Sequence, residues 1–85
     1  MKHAGAAALD RLEPLLRALR GKPGLKEKSR GVFYRGGRAF LHFHEHGELL
    51  FADVRFTDDF ERWPATTPAE RSALVKGLTA ALHGS

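Results

Sequence analysis

The stretch that decides the fold runs from Gly31 to Arg55 and reads GVFYRGGRAFLHFHEHGELLFADVR. Two pairs of turn-forming residues, Gly36-Gly37 and His46-Gly47, separate three runs that are rich in Val, Phe, Leu and Ala. Short runs of this kind, joined by two-residue turns, are typical of an antiparallel meander. The pattern predicts strands at Lys26–Tyr34, Arg38–Glu45 and Glu48–Arg55.

Beyond the meander, a short fourth strand is expected at Phe60–Trp63, because Pro64 ends the run. If this strand pairs, Trp63 lies beside Val54 and seals the edge of the core. The alternative is that Trp63 and Phe60 form an exposed aromatic platform. We favour the core position.

A helix is predicted on each side of the meander. The first helix has leucines at helical spacing and is expected to begin near Asp10 as its N-cap and to end at Arg20-Gly21. The second begins more clearly, because Thr67, Pro68 and Glu70 form a capping box with proline at the first helical position. Gly77 allows this helix to approach the sheet closely, and Gly84 is expected to end it. The apolar residues that define the two helices are Leu9, Leu12, Leu16 and Leu19, and Leu74, Val75, Leu78 and Leu82.

Together these elements predict a single α+β domain over residues 1–85. The predicted order is α-β-β-β-(β)-α, with both helices packed on one face of the antiparallel sheet and residues 1–8 forming a disordered tail. A chain of 85 residues is long enough for one small core. It has no cysteine, which excludes disulfides and fits a cytoplasmic protein, and no apolar run long enough to cross a membrane.

The two turns also predict the register of the sheet. Ala39 is expected opposite Tyr34 on one side and opposite Val54 on the other. The core face that follows is almost wholly apolar and consists of Val32, Tyr34, Ala39, Leu41, Phe43, Leu50, Ala52 and Val54, with Arg30 at its end. A slip by one residue at either turn would scramble this face.

The opposite face of the predicted sheet mixes aromatic and imidazole side chains. It is too apolar to be freely solvated, so either one helix covers it or it binds a partner. The leading hypothesis is a non-catalytic binding or self-association module, the simplest case being a homodimer. The residues of this predicted binding face are Phe33, Phe40, His42, His44, Leu49 and Phe51.

A divalent-metal site is the alternative on the same face. His42 and His44 point the same way along a strand, and Asp53 lies diagonally across from His42 in the predicted register. Histidines in a half-exposed strand are more often packing or hydrogen-bonding groups. No complete catalytic set is recognisable, so we expect neither an enzyme nor a cofactor, with a divalent metal as the exception.

The charge of the chain points to a third alternative. The net charge is +4, and ten of the fourteen Lys and Arg residues lie before residue 39. Such a concentration could bind nucleic acid, although no nucleic-acid-binding motif accompanies it, and a solvated surface is the simpler interpretation. The residues of this basic patch are Arg17, Arg20, Lys22, Lys26, Lys28 and Arg30.

The strings GVFYRGGRAFLHFHE, LLFADVRF and FERWPATTPAER resemble a family of small uncharacterised bacterial proteins. The resemblance covers about residues 25–82 and implies no activity and no catalytic residues. The order helix–meander–helix is also similar to that of YjbR-type and TfoX N-terminal domains, in order and length alone.

Overall fold

The computed structural model describes residues 2–83 and shows a small α+β domain with an antiparallel sheet and two helices, which confirms the predicted fold class. Strands β2 to β6 lie side by side in sequence order, and β1 pairs with β4 beyond the end of β3. The elements in chain order are β1 Lys2–His3, α1 Ala6–Arg20, β2 Leu25–Ser29, β3 Val32–Arg35, β4 Arg38–His46, β5 Leu49–Val54, β6 Glu61–Pro64 and α2 Pro68–His83.

Both helices contribute leucines to one hydrophobic core, as the spacing predicted. Leu12, Leu16 and Leu19 of α1 and Leu74 and Leu78 of α2 are fully buried. Burying a leucine side chain stabilises a fold by roughly 1.5–3 kcal/mol, so these side chains hold the helices on the sheet. The sheet side of the core consists of Phe33, Phe40, Leu41, Phe43, Leu50, Ala52 and Val54.

The start of α2 confirms the predicted capping box. The hydroxyl of Thr67 accepts a hydrogen bond from the Glu70 backbone N–H at 3.1 Å, and the Glu70 carboxylate accepts one from the Thr67 N–H at 3.0 Å. Gly77 faces the ring of Trp63, and a Cβ built there would lie 3.1 Å from the ring. The expectation of close helix–sheet packing at Gly77 and of a core-edge position for Trp63 is therefore confirmed. Trp63 pairs with Ala52 rather than lying beside Val54. Gly84 lies outside the described residues.

The N-terminal part differs from the prediction. Helix α1 begins at Ala6, with Gly5 rather than Asp10 as its N-cap, and it runs through Pro14. Before it, Lys2 and His3 form a strand instead of a disordered tail. The Gly5 N–H donates to the Glu45 carboxylate at 2.6 Å, which joins the start of the helix to β4.

The segment predicted as the first strand of the meander forms two strands, β2 and β3. The chain turns at Arg30-Gly31, and β2 and β3 pair with each other as a hairpin. Gly31 has φ +80°, a left-handed conformation that glycine adopts without strain. The sequence prediction missed this turn because Arg30-Gly31 stands within a long run and is followed by the more obvious Gly36-Gly37.

The pairing of β4 with β5 is shifted by two residues from the predicted register. Leu41, not Ala39, lies opposite Val54, because the turn consists of Gly47-Glu48 rather than His46-Gly47. A shift of two residues leaves every side chain on its predicted face, since the side-chain period of a strand is two. The expected pairing of Ala39 with Tyr34 is confirmed.

A β-bulge at Phe40 corrects the predicted binding face. Phe33 pairs with Leu41 and Tyr34 with Ala39, so Phe40 is the extra residue in β4. Because of the bulge, the β3 residues before it point to the opposite side of the sheet from the one predicted. Phe33 is fully buried, and Phe40 is 4% exposed, both within the core. These two residues therefore do not belong to the outer face of the sheet.

Candidate metal centre

Three histidines from two strands meet on the face of the sheet opposite the helices. His42 and His44 alternate with the buried Leu41 and Phe43 along β4, so their side chains point away from the core. The third histidine is His3, which pairs with His44 through the short strand β1. One nitrogen from each of the three rings lies within 4.8 Å of the others.

Ring contacts hold this His3–His42–His44 cluster together. The rings of His3 and His44 stack with centroids 4.6 Å apart, and those of His42 and His44 meet edge to face at 4.9 Å. Nδ1 of His42 lies 3.0 Å from Nε2 of His44. Two of the three side chains are therefore already at the separation of ligands that share one ion.

Asp53 supplies a negative charge beside the histidine cluster. It lies opposite His42 in the sheet, and its Oδ2 is 3.1 Å from Nε2 of His44. Arg62 of β6 donates from Nε and Nη2 to the two carboxylate oxygens at 2.9 and 3.0 Å. The hydrogen bonds from Arg62 lower the pKa of Asp53, so this buried group is a carboxylate at neutral pH.

His42 is neutral at physiological pH. Burial lowers the pKa of His42, and the nearby His44 acts in the same direction. The ring of Phe60 covers one side of His42, with centroids 4.9 Å apart. A metal ligand must present a lone pair, so a neutral imidazole is the form that a metal binds.

His44 has one ring nitrogen without a partner. Among residues 2–83, nothing hydrogen-bonds to its buried Nδ1, whereas its Nε2 lies near both Asp53 and His42. A buried polar atom without a partner calls for an explanation, such as a role in binding.

The structure brings some of the predicted site residues together and separates others. His42, His44 and Asp53, the three predicted metal ligands, lie together. Of the predicted binding face, Phe51 is half-buried and Leu49 is 50% exposed on the outer side, and the two other phenylalanines belong to the core. Self-association through this face stays a prediction. His3 was missed because no sequence pattern marks a strand of two residues that pairs so far along the chain.

The three arginines of the six-residue basic patch are paired with acidic residues. Glu13 contacts Arg20 at 2.6 Å and Arg30 at 3.0 Å, and Arg20 also binds Glu27. The hydrogen bonds from Arg20 and then Arg30 lower the pKa of Glu13 to about 2. These ion pairs offset part of the positive charge that a nucleic-acid surface would need. Nucleic-acid binding through this patch stays a prediction.

No family model, curated protein sequence or solved structure matches the chain. Within residues 2–83, neither helix is long and apolar enough to span a membrane.

Proposed function

We propose that this protein binds a divalent transition metal ion, with zinc as the best fit, through His3, His42 and His44. The observation that supports the proposal is the convergence of three imidazole nitrogens within 4.8 Å on one face of the sheet. Histidine is the commonest metal ligand, and three histidines with a further position open are an established zinc ligand set.

The distances fit a tetrahedral ion after a small adjustment. Nitrogen ligands lie about 2.0–2.1 Å from zinc, so two of them at a tetrahedral angle are about 3.3 Å apart. His42 and His44 are at 3.0 Å. The remaining adjustment falls on His3, whose strand has two residues and lies at the exposed start of the sheet. A strand of two exposed residues shifts at little cost.

We assign Asp53 an electrostatic role rather than that of a ligand. Arg62 binds both of its oxygens, and a direct bond to the metal would require the loss of one of these hydrogen bonds. Oδ2 of Asp53 lies 3.1 Å from Nε2 of His44, the nitrogen that faces His42. Its negative charge would therefore lie beside the bound cation and attract it. The proposal is metal binding and includes no reaction.

The test is calorimetric titration of the untagged protein with Zn²⁺, together with the visible spectrum of the Co²⁺ form. We expect one ion per chain. The visible spectrum of the Co²⁺ form should be typical of an ion with few ligands, most of them nitrogen atoms. His42→Ala should weaken binding at least tenfold, whereas His83→Ala, at the end of α2, should leave it unchanged. Far-UV circular dichroism checks that each variant folds. Absence of binding at stoichiometric Zn²⁺, or equal binding by the two variants, would refute the proposal.

A further inference from the structure

We propose that the groove between α1 and α2 binds an acidic amphipathic helix of a partner protein. The groove has a volume of about 500 Å³ and is lined by residues of these two helices alone. It lies on the helix side of the sheet and shares no residue with the histidine cluster. This inference is therefore independent of the metal proposal.

The groove exists because the two helices lie over opposite edges of the sheet. Helix α1 packs against β2 and α2 against β6, and these are the two end strands of the path from β2 to β6. The helices are tied together just after α1 ends, where Nζ of Lys22 donates to Oγ1 of Thr79 at 2.7 Å. Before this link, the space between them is open.

The α2 wall of the groove is one continuous face of the helix. Its residues follow one another at intervals of three and one, which is the spacing of side chains on a single helix face. This face lies beside the one that α2 buries in the core, and it stays accessible because only its valine and its arginine are partly buried. The residues of the wall are Pro68, Arg71, Ser72, Val75 and Lys76.

The α1 wall provides an apolar floor and a low rim. Leu15 is buried, whereas Pro14 and Ala18 are exposed. The distance between packed helices depends on the side chains at the contact. Ala18 on one wall and Ser72 on the other are small, so a third helix can approach both walls closely and place its apolar side chains on the floor.

The charge of the groove favours an acidic partner. Its lining includes Arg71 and Lys76 and no acidic residue. Arg71 donates to the backbone oxygens of Ala65 and Thr66 at 2.9 and 3.0 Å, which fixes its position, but these neutral acceptors leave its positive charge uncompensated. Two cations beside an apolar floor complement a helix that has leucines on one face and carboxylates along its flank.

The open shape of the groove favours a helix over the other occupants. A small-molecule pocket buries most of its ligand, whereas the rim here is exposed, so a small ligand would stay open to water on one side. Two copies of this chain that met through the groove would bring their own Arg71 and Lys76 residues together, and like charges repel. An acidic helix avoids both penalties.

The probe is a synthetic peptide of about 21 residues, three heptads long, with leucine at positions a and d, glutamate at e and g and alanine elsewhere. A second peptide carries lysine in place of every glutamate. Each is titrated into ¹⁵N-labelled protein. We expect saturable amide shifts at Leu15, Ala18 and Ser72 with the acidic peptide and at least tenfold weaker binding of the basic one.

Three variants separate docking in the groove from attraction by net charge. Lys76→Glu should weaken binding of the acidic peptide at least tenfold, whereas Lys26→Glu makes the same change of charge at an exposed position of β2 and should leave binding unaltered. Ala18→Arg adds a positive charge but places a long side chain at the groove, so it should weaken binding at least threefold. Far-UV circular dichroism checks that each variant folds.

The proposal is wrong if the groove amides do not shift at about 1 mM acidic peptide. Equal binding of the two peptides would show a merely apolar surface, and equal weakening by Lys76→Glu and Lys26→Glu would show an effect of net charge; either contradicts it. Co-sedimentation with phosphatidylglycerol vesicles, without binding of the acidic peptide, would assign the groove to a membrane surface instead. Zn²⁺ is omitted throughout, so the result does not depend on the histidine cluster.

Discussion

The ring of His3 stacks on the ring of His44, with centroids 4.6 Å apart and planes inclined by 28°. The contact joins the start of the chain to the middle of the longest strand. It exists because Lys2 and His3 pair with β4 just beyond the point where β3 ends. The metal proposal thus depends on a segment whose place in the sheet no sequence pattern revealed.

The first prediction concerns this contact. His3→Ala should weaken Zn²⁺ binding at least tenfold but change the unfolding free energy of the metal-free protein by less than about 0.5 kcal/mol, because His3 is exposed. In the unmodified protein, zinc at one hundred times its dissociation constant should add about 2.7 kcal/mol of stability. Thermal unfolding with and without zinc measures both effects. An unchanged zinc affinity in His3→Ala would exclude His3 as a ligand.

The second prediction tests the bulge at Phe40 through two phenylalanines of the predicted binding face. Phe33 is fully buried in the core, whereas Phe51 lies half-buried on the outer face. Truncating a buried phenylalanine costs about 3–5 kcal/mol, so Phe33→Ala should approach that loss and Phe51→Ala should cost clearly less. Urea denaturation gives both values. Equal losses would mean that Phe33 is on the outer face, as the uninterrupted register predicted.

These two residues also show how far the sequence could predict the structure. Alternation along residues 41–44 and 50–54 placed the core and outer residues of β4 and β5 correctly, even though the predicted turn lay one residue away and the register was therefore shifted by two. The capping box of Thr67 and Glu70 is local and was recognised in full. The bulge at Phe40 depends on how β3 pairs with β4, which no local pattern contains.

The residues of the candidate metal site also differ in how far the sequence could predict them. His42, His44 and Asp53 lie on neighbouring strands, so alternation and pairing bring them to one face, and the sequence predicted them as a group. His3 reaches them through a long-range pairing of two residues. Long-range contacts such as this pairing cannot be recognised without the tertiary structure.

The third prediction concerns Asp53, whose carboxylate lies between Arg62 and His44. Asp53→Asn keeps the shape of the side chain but replaces the carboxylate, which accepts two hydrogen bonds from Arg62, by a neutral amide. Hydrogen bonds to charged groups contribute about 1.5–3 kcal/mol when they are largely shielded from solvent, and Arg62 is partly exposed, so we expect a loss of about 1–2 kcal/mol. Chemical denaturation measures it. The exposed Asp59→Asn is the matched control and should change stability by less than about 0.5 kcal/mol.

Asp53→Asn also separates an electrostatic role from ligation. If Asp53 supplies negative charge beside the ion, the variant should bind Zn²⁺ about tenfold to one hundredfold more weakly while keeping one ion per chain and the same Co²⁺ spectrum. A changed Co²⁺ spectrum would identify Asp53 as a ligand. Unaltered affinity would remove it from the site altogether.

The last prediction concerns the loss of unfolding free energy at acid pH. Hydrogen bonds from Arg20 and Arg30 lower the pKa of Glu13 from its ordinary 4.5 to about 2. The hydrogen bond from Arg20 likewise lowers the pKa of Glu27. Because the folded state binds protons less readily than the unfolded state, both groups stabilise the fold above their unfolded pKa values. For Glu13, this contribution is lost as the pH falls from about 4.5 to about 2.

Glu13→Gln should therefore lower stability at pH 7 and flatten the dependence of the unfolding free energy on pH below 4.5, relative to the unmodified protein. Urea denaturation at intervals from pH 7 to pH 2 measures this dependence. Glu48→Gln, at the exposed β4–β5 turn, is the control and should leave the slope unchanged. Added salt should reduce the effect of Glu13→Gln, because the ion pairs are partly exposed to solvent. If the two variants show the same dependence on pH below 4.5, the ion pairs of Glu13 do not stabilise the fold.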